Sequence, residues 1–295
     1  MIIKKTLRFI TRLRFVGGLA NTCFKPGHFY SPIVALRGIK KREKQIWPEK
    51  KSTVLPNINL NLKSQTSLVQ TFKKYYDELP FSENKSVNRY YFKNIFFSYT
   101  DGIILYSIIR HFKPTRIIEV GSGFSSALML DTSGLFKLNL KLTFIEPYPK
   151  RLKSLLTKTD KKNIEIKEAK IQDIDISNFK ILEKNDILFI DSTHISKTGS
   201  DVNFILFNIL PILKPGVLIH FHDIFFPFEY SKNWVYQGRS WNESYILRAF
   251  LMNNNNYEII MFNDFLHKHH KTVFEDMPLC YKNTGGSIWL KKVLK

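Results

Sequence analysis

From residue 116 onward, short apolar runs recur at regular intervals along the chain. They are RIIEV (116–120), LTFIE (142–146), IEIKEA (164–169), DILFID (186–191), GVLIHFHD (216–223), YEIIMF (257–262) and SIWLKK (287–292). Between them lie stretches with helical spacing, near 125–132, 149–158, 175–183, 201–213 and 243–253. Alternating strands and helices, with strands apolar almost throughout, predict a parallel sheet buried on both faces. The expected fold is therefore α/β, a doubly wound, mostly parallel, seven-stranded sheet with helices on both faces. Such sheets bind ligands beyond the carboxyl ends of their strands.

The chain before residue 116 is less regular. Leu68, Phe72, Tyr75, Tyr76 and Leu79 predict a helix over 67–79. The pair Thr100-Asp101 reads as the cap of a second helix, running through IILYSIIRHF and stopped by Pro114. Residues 21–65 are rich in Pro, Gly, Asn and Lys without a long period, and read as an irregular arm. In the first 20 residues, Lys4, Arg8 and Arg12 fall at helical spacing, with Ile3, Leu7, Ile10 and Leu13 on another face. That pattern fits a short membrane-surface helix or a loosely ordered basic leader. The division expected is a basic extension and arm at 1–65 and one domain at 66–295.

Composition narrows the class. A hydrophobic fraction of 44%, with 14% aromatics, supports a packed core. Two cysteines make neither a disulfide framework nor a paired zinc motif, and suit a reducing, cytoplasmic setting. No apolar run reaches the roughly 20 residues that span a bilayer. Arginines interrupt any apolar core of a secretory signal. The net charge of +20, from 45 basic and 25 acidic residues, favours polyanions such as RNA or anionic membrane surfaces. Lysines are scattered, however, and no aromatic RNA-binding motif is present. The oligomeric state is not encoded in any pattern of the sequence.

The first strand leads into Glu119-Val120-Gly121-Ser122-Gly123-Phe124-Ser125-Ser126. Gly121 and Gly123 allow a tight turn and a close approach of backbone to ligand, with Ser122 between them. Ser126 replaces the third glycine of a dinucleotide fingerprint, and no G-K-[ST] follows, which excludes a Walker loop. A carboxylate at Glu119 would repel a pyrophosphate and attract a ligand carrying an ammonium and a sulfonium. Glu146, at the end of the second strand, can accept two ribose hydroxyls. Gln172-Asp173 fits an adenine edge or, for Asp173, a helix cap; Pro147-Tyr148 flanks adenine or forms a plain turn.

Taken together, E-x-G-x-G after strand one, the acid of FIEP after strand two and FID after strand four resemble the class I S-adenosylmethionine-dependent methyltransferases. The similarity spans roughly 66–295. The stretches GHFYSPI, FFSYTDGIILYS, IIEVGSGFSSALMLD, FIDSTHISKTGSDVNF, HFHDIFFPFEY and GGSIWL look like one bacterial subfamily of these enzymes. The resemblance implies a Rossmann-like methyltransferase sheet, S-adenosylmethionine as cofactor, and Phe97, Ser98 and Tyr99 closing over it. It leaves the methyl acceptor unnamed.

The resemblance also bears on the two histidines and aspartate that end the fifth strand. Metal-dependent O-methyltransferases place oxygen ligands where Asp191, His222 and Asp223 stand here. His222 departs from that pattern, and a mixed imidazole–carboxylate set suits Mn²⁺, Fe²⁺, Co²⁺ or Zn²⁺ better than Mg²⁺. His194, three residues beyond Asp191, falls where the family has its general base, and a pKa of about 6.5 suits that task. A purely structural histidine cluster, with His220 orienting His222 on the same strand face, is the alternative. His267, His269 and His270 look like another metal set, although a loop run of this kind is usually solvated, and Lys197 and Asp201 read as supporting, loop or cap residues. The segment 225–245 reads as a lid, in which Tyr230, Trp234, Arg239 and Trp241 contact the acceptor or simply pack.

The favoured function is O-methylation of a hydroxyl on a small molecule or sugar. Three rivals stand beside it. An RNA methyltransferase would use the charge, although FIDSTH stands where base N-methylation places [DN]-P-P-[YFW]. A metal-dependent oxygenase resembling cephalosporin hydroxylases would use the same fold and rim. A non-catalytic binding module would use the basic surface for a membrane, through residues 1–20, or for a partner.

Overall fold

The computed structural model describes residues 22–49, 52–157, 160 and 163–293. The helix expected in residues 1–20 lies outside them. The chain forms two compact units, one of Thr53–Tyr230 with Trp241–Lys295, the other of residues up to Ser52 with Ser231–Ser240.

The larger unit carries one seven-stranded sheet. Its strands are β1 (Arg116–Val120), β2 (Lys141–Ile145), β3 (Ile164–Lys167), β4 (Ile187–Ile190), β5 (Leu218–His222), β6 (Tyr257–Phe262) and β7 (Ser287–Lys292). They are ordered β3-β2-β1-β4-β5-β7-β6. The pairs among β1 to β5 are parallel, and β7 runs antiparallel to both neighbours. The doubly wound sheet expected from the sequence is thus the one observed. β1, β6 and β7 occupy the runs read for them, β2 is shifted one residue toward the amino terminus, and β3, β4 and β5 are shorter by two or three residues.

Burial explains why these runs are apolar throughout. Every residue of β4 and β5 is buried. His220, in the middle of β5, lies flat on Phe189 at 3.8 Å and meets Trp289 edge-on at 4.6 Å. Its pKa is lowered well below the usual range by burial, so the neutral ring serves as core.

The two aspartates bracketing β4 have opposite tasks. Asp186, at the amino end, accepts backbone N–H bonds from Thr115, Arg116 and Glu183 at 2.8–2.9 Å, locking β1 to β4. Asp191, at the carboxyl end, faces a cavity. The opening of β1 toward the same rim depends on Gly121, whose φ is +80°. A Cβ there would sit 1.8 Å from the Asp191 carbonyl oxygen, so no side chain fits.

Several helices differ from the sequence reading. The first runs Leu62–Tyr76. The second, Tyr99–Phe112, has Ser98 at its N-cap, so Thr100 and Asp101 lie inside it. Asp101 is buried and accepts from Ser287 Oγ at 2.6 Å and the Gly286 N–H at 3.0 Å, tying the helix to the start of β7. The segment 201–213 breaks into Asp201–Phe204, a π turn Ile205–Ile209 and a 3₁₀ turn Leu210–Ile212, because Pro211 cannot donate to a continuous helix. Of the histidines read as a solvated run, His267 and His269 belong to a helix, Asn263–His269, and His270 is its C-cap; the helix was missed because it follows β6 without a break. His267 is buried there, stacked on Phe274 at 4.3 Å.

Candidate active site

The carboxyl ends of β1, β2 and β4 enclose a cavity of about 430 Å³. Its floor is Val120, Gly121 and Ile145, and its sides include Pro147, Tyr148, Ile171 and Gln172. Glu146, Asp191 and Asp201 bring carboxylates to the wall. The volume falls in the range of small-ligand pockets. Glu146 is held by the Tyr148 N–H at 2.8 Å and the Ser122 N–H at 3.2 Å, which fixes its carboxylate at the mouth of the glycine turn. Gln172 donates from Nε2 to the Gly199 carbonyl at 2.8 Å, bridging two walls.

Other residues proposed from the sequence sit elsewhere. Glu119 is fully buried behind the turn, where its carboxylate accepts from the Ser125 and Ser126 hydroxyls. Burial pushes its pKa up to about 8 in spite of those bonds, so at neutral pH it is mostly uncharged. The carboxylates that line the cavity are Glu146, Asp191 and Asp201, and Glu119 is not among them. Gly123 is extended (φ 178°), and its role is to start the helix Phe124–Leu135, with its N–H donating to Ser126 Oγ at 2.9 Å. Asp173 is exposed at the end of a 3₁₀ turn, and Gln172 faces the cavity in its place. Tyr99 points its hydroxyl to Glu83 at 2.8 Å and stacks on Phe92, so it lines the protein rather than the cavity.

Beside the cavity lies a second cluster. His194 Nε2 faces Asp191 Oδ1 at 3.4 Å and Asp223 Oδ2 at 3.5 Å. One ligand atom from each of Asp191, His194 and Asp223 lies within 4.8 Å of the others. His222 is buried next to them, with Nε2 3.7 Å from Asp223 Oδ1. This cluster differs by one member from the metal set expected from the sequence. His194 enters it, and His222 stands behind Asp223. The cause is backbone conformation, since His194 (φ +61°) and Asp223 (φ +56°) both adopt the left-handed region. That state costs on the order of 1–3 kcal/mol per non-glycine residue and is concentrated at functional sites. It turns both side chains toward Asp191.

His194 is held from the far side by Glu243, which no motif indicated. Glu243 is 1% exposed, and its Oε2 lies 2.8 Å from His194 Nδ1. The Glu243 and Asn242 N–H groups both donate to the His194 carbonyl at 3.1 Å. The only sequence signal for Glu243 was its place at the start of an expected helix, now Glu243–Leu251. Trp241 covers the ring at 4.4 Å. Asp201 pins the preceding residue, accepting from the Thr193 N–H at 2.9 Å and hydroxyl at 2.7 Å, while Ser200 caps the helix that follows.

The electrostatics match this geometry. Burial opposes protonation of His194, but the bonds from Asp191 and Glu243 outweigh it and hold the pKa well above the usual value. Burial would raise Asp191, yet the His222 and His194 rings hold it low. Asp223 is raised, chiefly by burial. Three carboxylates converging on one imidazole form a site short of positive charge.

The chain is similar to known proteins. Residues 118–224 match the family described as Methyltransferase domain. An uncharacterized protein of Archaeoglobus fulgidus is 33% identical over 168 residues, covering 55% of this chain and 75% of its own length. The S-adenosylhomocysteine-bound methyltransferase PaMTH1 of Podospora anserina aligns at 14% identity and a TM-score of 0.45, over 82% of this chain and 99% of its own. A putative caffeoyl-CoA O-methyltransferase from Staphylococcus aureus aligns at 15% identity and a TM-score of 0.43, over 87% of this chain and 98% of its own. The chain belongs to a methyltransferase family, its matched domain spanning β1 to β5 of the sheet. The matched domain marks it as an enzyme that transfers methyl groups, for which the sequence motifs imply S-adenosylmethionine as donor.

The residues present fit that donor. Gly121 lines the cavity, its missing Cβ letting the turn pack against the Asp191 carbonyl, and Glu146 stands on the cavity wall where two ribose hydroxyls would be accepted. Among the described residues, no helix is long and apolar enough to cross a membrane.

Proposed function

We propose that the chain transfers a methyl group to a hydroxyl of a small molecule or sugar, with a divalent metal ion held by Asp191, His194 and Asp223. The observation that carries this reading is the convergence of those three side chains on one point beside the cofactor cavity. Glu243 supports it. Its carboxylate accepts from the His194 Nδ1–H, so Nε2 is the nitrogen that faces the two aspartates and would ligate an ion that displaces its proton, the arrangement common to metal-ligating histidines. One imidazole with two carboxylates suits Mn²⁺, Fe²⁺, Co²⁺, Zn²⁺ or Mg²⁺, with the nitrogen favouring the transition metals.

When bound, such an ion would act as a Lewis acid and lower the pKa of the acceptor hydroxyl. The donor supplies an electrophilic methyl group on sulfonium. The chain's own residues do the positioning. Glu146 and Gln172 bind the nucleoside end, and the Gly121 backbone supports the ligand. Asp191 belongs to both the cavity wall and the three-residue cluster, and so sets the distance between donor and acceptor. Trp241 and Tyr230 exclude water from the His194 side. Tyr230 is buried, and its hydroxyl accepts the Ser244 N–H at 3.1 Å.

A metal-free reading, with His194 as general base oriented by Glu243, is favoured by the same 2.8 Å contact. Nε2 cannot both ligate an ion and take up a proton, so the two readings exclude each other. A base should face open space for the acceptor, and here Nε2 faces two carboxylates, which favours the metal. Equilibrium dialysis of the purified protein against Mn²⁺ tests it. About one ion per chain, lost in Asp223→Asn with S-adenosylhomocysteine binding retained, supports the metal site. No ion bound by folded protein would leave the His194 base. A cytoplasmic setting is supported by two unpaired cysteines, Cys23 exposed and Cys280 buried.

A further inference from the structure

The smaller unit exposes an aromatic cluster. Phe24 stacks on His28 at 4.7 Å, His28 on Phe29 at 4.6 Å, and Phe29 meets Tyr30 at 4.1 Å. Rings packed this way usually hide one another, yet Phe29 is 81% exposed and Tyr30 65%. Just downstream Ile33, Val34 and Leu36 are exposed as well. The short helices Leu36–Lys41 and Glu43–Ile46 bury none of their residues. Scattered apolar side chains on a surface need no explanation, whereas six within thirteen consecutive residues form a patch of the kind that marks an interaction site.

Charge says what kind of partner fits. Between residues 22 and 49 the cations are Lys25, Arg37, Lys40, Lys41, Arg42 and Lys44, against Glu43 and Glu49. Glu43 is already engaged by the Lys232 ammonium and the Tyr236 hydroxyl. We infer that residues 24–44 dock on the surface of an anionic lipid bilayer. The rings and aliphatic side chains enter the boundary between headgroups and acyl chains, and the cations meet the lipid phosphates and carboxylates. The overall charge of +20 adds attraction at longer range.

Two other partners fit less well. RNA would satisfy the cations and give the rings bases to stack on, but Ile33, Val34 and Leu36 would gain nothing there. A second copy of the chain would cover the apolar groups while facing one cationic segment with another. Only a lipid surface satisfies hydrocarbon and cations together.

The test uses the full chain and phosphatidylcholine vesicles with and without phosphatidylserine, read by co-sedimentation at increasing salt. Two variants are compared with the wild type, Phe29→Ser/Tyr30→Ser/Ile33→Ser and Lys40→Glu/Lys41→Glu/Arg42→Glu. All six positions are exposed, and unchanged thermal melting would show that the fold persists. The expected result is salt-sensitive binding to the serine-lipid vesicles that each variant weakens at least about tenfold. No vesicle binding by the wild type would overturn the inference. So would binding that neither variant alters, which would place the contact elsewhere, residues 1–20 included. RNA binding or self-association lost in the same variants, without vesicle binding, would also overturn it.

Discussion

Glu243 grips His194 twice, its carboxylate on the ring Nδ1 at 2.8 Å and its backbone N–H on the His194 carbonyl at 3.1 Å. The second contact holds the backbone in its left-handed conformation, and the first fixes which nitrogen faces Asp191 and Asp223. Glu243→Gln preserves the backbone contact and the side-chain shape but removes the charge that favours a proton on Nδ1. Mn²⁺ affinity should fall about 10–100-fold, the range for partners that orient a metal ligand. S-adenosylhomocysteine affinity should not change. Calorimetric titration of both ligands reads the two effects separately, and loss of both together would mean that the residue only supports the fold.

Membership of the metal set is decided by comparing His222→Asn with Asp223→Asn. With Asp191, His194 and Asp223 as ligands, Asp223→Asn should reduce Mn²⁺ binding by at least about a hundredfold, since it removes a charged ligand. His222→Asn should cost about tenfold or less. Equilibrium dialysis of each variant gives the order, with His194→Asn as the third arm: a loss in His222→Asn as large as that in Asp223→Asn, with His194→Asn nearly unaffected, would restore His222 as the ligand in place of His194.

That exchange shows where sequence reading stops. Strand positions were legible because burial on both faces demands unbroken apolar runs, and Asp191, Glu146 and Gly121 follow directly from strand ends. The side chain of His194 was not legible, since a φ of +61° turns it toward residues that an extended chain would leave behind it. Nor was Glu243, which lies 49 positions away along the chain and meets His194 only through tertiary packing. Asp173 and Tyr99 failed for a related reason. Each is next to a residue or element at the rim, and the side chain points away. Glu119 was placed on the right strand end, but alternation along β1 sends it into the protein, where two serine hydroxyls take its oxygens.

Glu146 should carry a measurable share of cofactor binding without supporting the fold. Hydrogen bonds to a charged group are worth about 1.5–3 kcal/mol, and 1.4 kcal/mol corresponds to tenfold. Glu146→Ala should therefore weaken S-adenosylhomocysteine by at least roughly tenfold with little change in melting temperature. Gly121→Ala makes the contrast. Its Cβ would lie 1.8 Å from the Asp191 carbonyl oxygen, so both melting temperature and affinity should drop. Equal melting losses in both variants would mean that Glu146 is structural.

Glu119 gives the chain a pH dependence that can be separated from the site's chemistry. Its folded-state pKa is raised from 4.5 to about 8 by burial. The folded state therefore binds the proton more tightly than the unfolded state. The stability associated with that proton is fully present below about pH 4.5 and declines as pH rises toward 8. The slope in that window is at most about 1.4 kcal/mol per pH unit. Glu119→Gln keeps the shape and cannot ionise, so it should lose this component. Urea unfolding of wild type and variant at pH 5.5 and pH 8 gives the double difference, in which groups common to both cancel. The wild type should lose more stability over that interval than the variant. Parallel losses would show that Glu119 is ionised in the folded protein at pH 5.5. A charged Glu119 would need the cationic partner that the sequence reading had assigned to the donor.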